Sequence, residues 1–180
     1  MDKKFCKLKT IVITGPESTG KTMISEYLAG SLGCPWIPEY ARQYIGSLDR
    51  PYNYSDLVHI ADNQILHRKS IEKTGAPMLI LDTWLIITKV WFMEVFNKYP
   101  GYLDEEISKQ VIDLFLICKP DIPWISDRLR ENGGVKRDYL MNRYVEEIRT
   151  TGRDFILIGG TGEERYHNAL QAVKKHFNLA

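Results

Sequence analysis

Residues Gly15-Pro16-Glu17-Ser18-Thr19-Gly20-Lys21-Thr22, written GPESTGKT, fit the pattern G-x-x-x-x-G-K-[ST]. A loop that curls round an anion must present backbone N–H groups without Cβ atoms in the way, and Gly15 and Gly20 supply that freedom. Lys21 brings a compact positive charge to the β and γ phosphates of a nucleoside triphosphate. The Thr22 hydroxyl suits the Mg²⁺ that bridges them. The pattern carries weight only between a buried strand and a helix, and both are expected here. Thr10-Ile11-Val12-Ile13-Thr14 is a β-branched run leading into Gly15, and Met23, Ile24, Tyr27, Leu28 and Leu32 recur at helical spacing up to Gly33. The whole loop, Gly15 to Thr22, therefore reads as a site for ATP, with Mg²⁺ at Thr22.

Outward from the loop, the elements alternate. Pro35 to Pro38 is a short second strand and Glu39 to Tyr44 opens a helix. Another helix follows, capped by Ser55, with Leu57, Ile60, Ala61, Gln64 and Ile65 on one face. Met78 to Leu81 is a third strand ending at Asp82, Val111 to Cys118 a fourth, Asp154 to Ile158 a fifth, and a last helix runs from Glu163 to Phe177. Strands alternating with helices imply a parallel sheet covered on both faces. The expected fold is α/β, a three-layer P-loop NTPase architecture with a mainly five-stranded parallel sheet. A lid excursion at about 121–143 is expected within a single domain, 1–180.

Composition narrows the partners. At 180 residues and 44% apolar the chain can bury a sizeable core, and a formal net charge of +1 gives no basic stripe for a duplex. Nucleic acid is thus not an expected partner. Cys6, Cys34 and Cys118 lack C-x-x-C spacing and read as plain thiols. Met1 to Phe5 lack the apolar stretch of a signal peptide, and Met78 to Phe96 is broken by Asp82, Lys89 and Glu94, short of the ~20 apolar residues a membrane span needs. A cytoplasmic location without membrane attachment is expected.

Phosphoryl transfer needs a metal-holding acid, a group that orients the acceptor hydroxyl, and donors for the transferring charge. Asp82 ends a strand at the sheet's carboxyl edge, where open α/β sheets hold ligands, and is the expected metal acid beside Thr22. Asp113 and Asp121 end strands less cleanly. Glu39 follows the short second strand and is the candidate general base, with Asp82 as the alternative. Arg128 and Arg130, with Lys136, Arg137, Arg143 and the Gly133-Gly134 pair, suggest a lid whose guanidinium groups close on the phosphates. Tyr40, Arg42 and Trp84 are the further acceptor-site candidates, and Gly159-Gly160-Thr161 offers a turn where a base can rest. The histidines suggest no metal or triad grouping.

GPESTGKT, Glu39-Tyr40-Ala41-Arg42, Leu81-Asp82-Thr83, and Asp121-Ile122-Pro123-Trp124 with Asp127, Arg128 and Arg130 together resemble the nicotinamide riboside kinase domain of NadR-type proteins. The resemblance spans nearly the whole chain. It implies a nucleoside- and nucleotide-kinase fold and ATP-dependent phosphorylation of the 5′-hydroxyl of nicotinamide riboside to the mononucleotide, in NAD salvage. Where that family often carries an acidic residue two places beyond the metal-holding aspartate, this chain has Trp84. A kinase for another nucleoside or small metabolite, and a regulatory ATP-binding module with a protein partner, are the alternative readings.

Overall fold

The structure, a computed structural model, describes residues 7–127 and 129–179; Met1 to Cys6, Ala180 and Arg128, the other lid candidate, lie outside the described residues. The elements run β1 (Lys9–Thr14), α1 (Lys21–Leu32), β2 (Trp36–Ile37), α2 (Tyr40–Ser47), α3 (Tyr54–Glu72), β3 (Met78–Asp82), α4 (Leu85–Phe96), α5 (Tyr102–Lys109), β4 (Leu114–Cys118), α6 (Val135–Thr150), β5 (Phe155–Ile158) and α7 (Gly162–Phe177).

The strands form one sheet in the order β2-β3-β1-β4-β5, with every pairing parallel. Side-chain alternation then divides the core. Ile11, Ile13, Ile80, Leu114 and Leu116 pack with Ile24 and Leu28 of α1 and Ala169 and Val173 of α7. Val12, Leu79, Leu81, Phe115 and Ile117 point to the other face, against Leu57 and Ala61 of α3, Phe92 of α4 and Ile148 of α6. Nearly unbroken apolar strands are what burial on both faces requires. The result is the expected three-layer arrangement.

Register brings the strand ends to one edge. Ile13 pairs with Asp82, Thr14 with Ile117, and Cys118 with Ile158.

Three local expectations shift. The fourth strand begins at Leu114, not Val111, because the Asp113 carboxylate takes the Thr10 N–H at 2.7 Å, a place that a ladder carbonyl would fill. The α3 cap is Asn53, not Ser55: its side chain accepts from the N–H groups of Ser55 and Asp56, and Asp56 returns a bond to Asn53 N–H at 2.7 Å. Helix α5 was not anticipated; Asp104 and Glu105 in its first turn and Lys109 in its last match the helix dipole.

Candidate active site

The β1–α1 loop takes the conformation its glycines permit. Gly15 has φ +134°, and a Cβ on it would stand 2.5 Å from the Cys118 carbonyl oxygen, so β4 and the loop approach as only glycine allows. Gly20 caps α1 in the left-handed region, φ 77°. Within the loop, Thr19 Oγ1 and Lys21 Nζ both donate to the Pro16 carbonyl at 2.8 Å. Buried Arg165 of α7 fixes the loop from below. It donates to Thr19 O at 3.2 Å, and to Lys119 O, Gly160 O and Asp121 Oδ1 at 2.6 Å each. Nothing in the spacing around Arg165 announces this, since its donors meet carbonyls far away in sequence. Asp121, one rival for the metal acid, is thereby committed to structure, and Asp113 is tied to Thr10.

Asp82 is buried at the end of β3. Its Oδ2 accepts from Thr22 Oγ1 at 2.6 Å, while Oδ1 is buried without a hydrogen-bond partner. Burial, and secondly the charge of Glu39, push its carboxyl up to about 6, with Thr22 and Lys21 pulling the other way. An orphaned buried carboxylate oxygen beside a hydroxyl is a donor set that suits Mg²⁺, a hard cation that keeps most of its waters. The chain leaves β3 through Thr83, whose φ of 67° is unusual for a β-branched residue and whose N–H reaches Ile13 O at 2.9 Å.

A cavity of 690 Å³ opens above the loop. It is lined by Gly15 and Glu17 to Met23 of the loop, together with Glu39, Ala41, Arg42, Asp49 to Tyr52, Trp91, Glu94, Arg130 to Asn132, Lys136, Leu140 and Tyr144. Glu39 stands at the N-cap of α2 without making a side-chain cap bond. Arg42 forms an ion pair with Asp127, which also meets Arg130 Nε at 3.3 Å. Arg130 additionally donates to Ile125 O at 2.6 Å.

Several candidates stand elsewhere than the sequence suggests. Trp84 is buried in the core, with the Arg68 guanidinium 5.7 Å from its ring centroid, because the turn at Thr83 sends it under the sheet layer. It cannot touch an acceptor in the cavity. Tyr40 turns away as well: it stacks on Tyr44 at 5.9 Å and meets His59 Nε2 at 2.8 Å, packing α2 on α3. Arg137 donates to the carbonyls of Ile122 and Ser18, a structural use, and Arg143 lies near Glu94 and Glu146. The aromatic pair the cavity does present is Tyr52 and Trp91, edge to face at 5.1 Å with the indole N–H on the Tyr52 hydroxyl at 3.2 Å. Neither residue stands among the acceptor-site candidates that the sequence offers.

A family model described as an AAA domain matches residues 10–165. The chain belongs to that family. It is also similar to the trifunctional NAD biosynthesis/regulator protein NadR of Salmonella typhimurium, 25% identical over 154 residues that make up 83% of this chain and 38% of that protein. The chain thus spans well under half the length of this relative. Among solved structures, a NadR protein in complex with NR superposes with a TM-score of 0.81 at 24% identity, over 96% of this chain and 52% of that one. Deoxyadenosine kinase from M. mycoides gives 0.61 at 17% identity, covering 94% and 98%. The P-loop fold is that of nucleoside kinases.

Proposed function

We propose that this chain is a small-molecule kinase that transfers the γ-phosphoryl group of ATP to the 5′-hydroxyl of nicotinamide riboside, with residues 1–180 working as one kinase domain in the cytoplasm. The observation that carries the reading is one cavity in which Lys21, Thr22 and Glu39 gather beside Asp82, with an aromatic wall of Tyr52 and Trp91 in the same lining. The similarity to NadR supports the acceptor. Among the described residues no helix is long and apolar enough to cross a membrane.

The roles follow from the donor and acceptor chemistry. The N–H groups of Gly15 to Thr22 and the Lys21 ammonium hold the triphosphate, and the donor base lies toward Gly159-Gly160. Thr22 and Asp82 would hold Mg²⁺, which would neutralise the β and γ phosphate charge when bound. Glu39 orients the acceptor hydroxyl and takes its proton as the bond to phosphorus forms. Arg130 faces the transferring group from the lid. A nucleoside suits the acceptor site better than a nucleoside monophosphate: Arg42 is engaged by Asp127 and Arg50 by Asp56, whereas Glu39 and Asp49 favour a cationic ring. Tyr52 and Trp91 offer that ring apolar area and a π-face.

ADP release with ATP and Mg²⁺ tests the reading, measured against nicotinamide riboside, ordinary nucleosides, nucleoside monophosphates and no acceptor, with Lys21→Ala as control. Stimulation by nicotinamide riboside alone is expected. Stimulation by a different nucleoside replaces the acceptor and keeps the mechanism. Tight ATP binding with no stimulation by any acceptor sinks the kinase reading in favour of a regulatory module.

A further inference from the structure

The four variable positions of the phosphate-loop pattern carry no requirement of their own, yet two of them are bonded to the segment that joins β4 to α6. Glu17 Oε2 accepts from the Asn132 backbone N–H at 2.9 Å, and Oε1 accepts from the Asn132 side-chain amide at 2.8 Å and the Glu131 N–H at 3.3 Å. Ser18 Oγ accepts from Ile125 N–H at 2.9 Å. A carboxylate inside an anion-holding loop works against phosphate by Coulomb repulsion, so its presence asks for a reason. Here its charge is met by three N–H donors of another segment, which turns the repulsive group into a clasp.

What the clasp holds is specific. Glu131 directly follows Arg130, a residue of the cavity lining, so fixing the Glu131 and Asn132 N–H groups fixes the backbone that carries Arg130. Gly133 comes next and lies under the Trp124 ring, where an added Cβ would stand 3.1 Å from ring atoms. The segment is therefore seated at both sides of Asn132. We infer that Glu17 is a positioning residue that couples the phosphate-holding loop to the lid and sets Arg130 over the cavity. The inference rests on the cavity being the transfer site proposed above. A lid seated this way excludes water from the transferring phosphoryl, so acceptor-dependent turnover rises relative to ATP hydrolysis.

Glu17→Gln keeps the shape but sets an NH₂ group against N–H donors. Two readouts decide the matter. Hydrogen exchange at the Glu131 and Asn132 amides, with a non-hydrolysable ATP analogue present, is expected to speed up about tenfold in the variant. The kcat for the acceptor reaction is expected to fall about tenfold, with the KM for ATP moving less than kcat, and the ratio of acceptor turnover to basal hydrolysis falling too. Asn132→Asp opposes two carboxylates and is expected to act alike, while E17Q combined with N132D restores a donor–acceptor pair and recovers both readouts in part. Unchanged exchange in E17Q overturns the inference. So does a raised KM for ATP at constant kcat, which makes Glu17 part of the phosphate cradle only, or a double variant worse than either single one. Should the wild type phosphorylate no acceptor, the kinase reading falls, and the exchange data still decide whether Glu17 seats the lid.

Discussion

The parts of the cavity proposed to hold donor and acceptor are built by different means. The donor end is eight consecutive residues whose backbone does the work: Gly15 beneath Cys118, Gly20 in the left-handed region, and N–H groups opening α1. The acceptor end is assembled from α2, the connection at Asp49 to Tyr52, α4, the lid and α6, and side-chain pairs join these pieces: Arg50 with Asp56, Arg42 with Asp127, Trp91 with Tyr52. On the proposed reading, phosphate holding is thus a local property of one turn, whereas choice of acceptor is spread over segments that many side chains must hold in place. Substitutions at the donor end should abolish turnover; those at the acceptor end should shift affinity and leave the donor site working.

Lys21→Ala puts that contrast under the hardest strain. Loss of the ammonium at the γ phosphate is expected to lower kcat/KM on the order of a thousandfold whichever acceptor is used. A loss confined to the acceptor KM breaks the division. Glu39→Gln comes next: kcat should fall about a hundredfold with acceptor KM little changed, because the amide fills the same space without accepting a proton. Steady-state kinetics with both substrates varied checks both, and an unchanged kcat in E39Q transfers the base role to Asp82.

Legibility in the sequence follows the same division. Strands such as Ile11 to Ile13 and Met78 to Leu81 are contiguous and apolar, and the loop pattern encodes backbone geometry, so the sheet and the loop's conformation read directly, whereas helix α5 did not. Arginines and glycines marked a lid at about 121–143, yet α6 already begins at Val135, and Arg137 within it holds backbone carbonyls of Ile122 and Ser18. Trp84 misled because proximity to Asp82 in sequence says nothing about side-chain direction after a left-handed residue such as Thr83. Arg165 and Tyr52 left no trace, since their partners lie on other segments.

Asp82 sharpens the comparison from the side of stability. Its carboxyl is raised to about 6, so the unfolded chain gives up the proton at lower pH than the folded one, and metal-free protein loses stability as pH climbs from about 4 to about 6 and stays lower above. Asp82→Asn removes that cost. It should stabilise the metal-free protein by about 3 kcal/mol at neutral pH, little at pH 4, while abolishing transfer. Thermal unfolding of both proteins at the two pH values measures this, and a variant less stable than wild type at neutral pH contradicts the assigned strain.

The smallest expected effect tests whether the acceptor end depends on its supports. Buried Asp56 accepts from both Arg50 terminal nitrogens, at 2.7 and 2.9 Å, from Tyr44 Oη at 2.9 Å and from Asn53 N–H at 2.7 Å. Arg50, before the other partners, holds its carboxyl well below the usual carboxylate range. The stretch Asp49 to Tyr52 that walls the cavity hangs from this one carboxylate. A depressed acid pKa contributes stability above its unfolded value and loses it as pH falls through the folded one, so the support persists through any ordinary assay pH. Asp56→Asn keeps the Asn53 and Tyr44 bonds but gives up the bidentate pair with Arg50, freeing the wall to move. The acceptor KM is expected to rise about tenfold, with the KM for ATP and basal ATP hydrolysis little changed. Equal losses for both substrates mean that the two ends share one support and that the division between them is wrong; a rise for the acceptor alone shows that its site is held from behind, by a residue that never meets it.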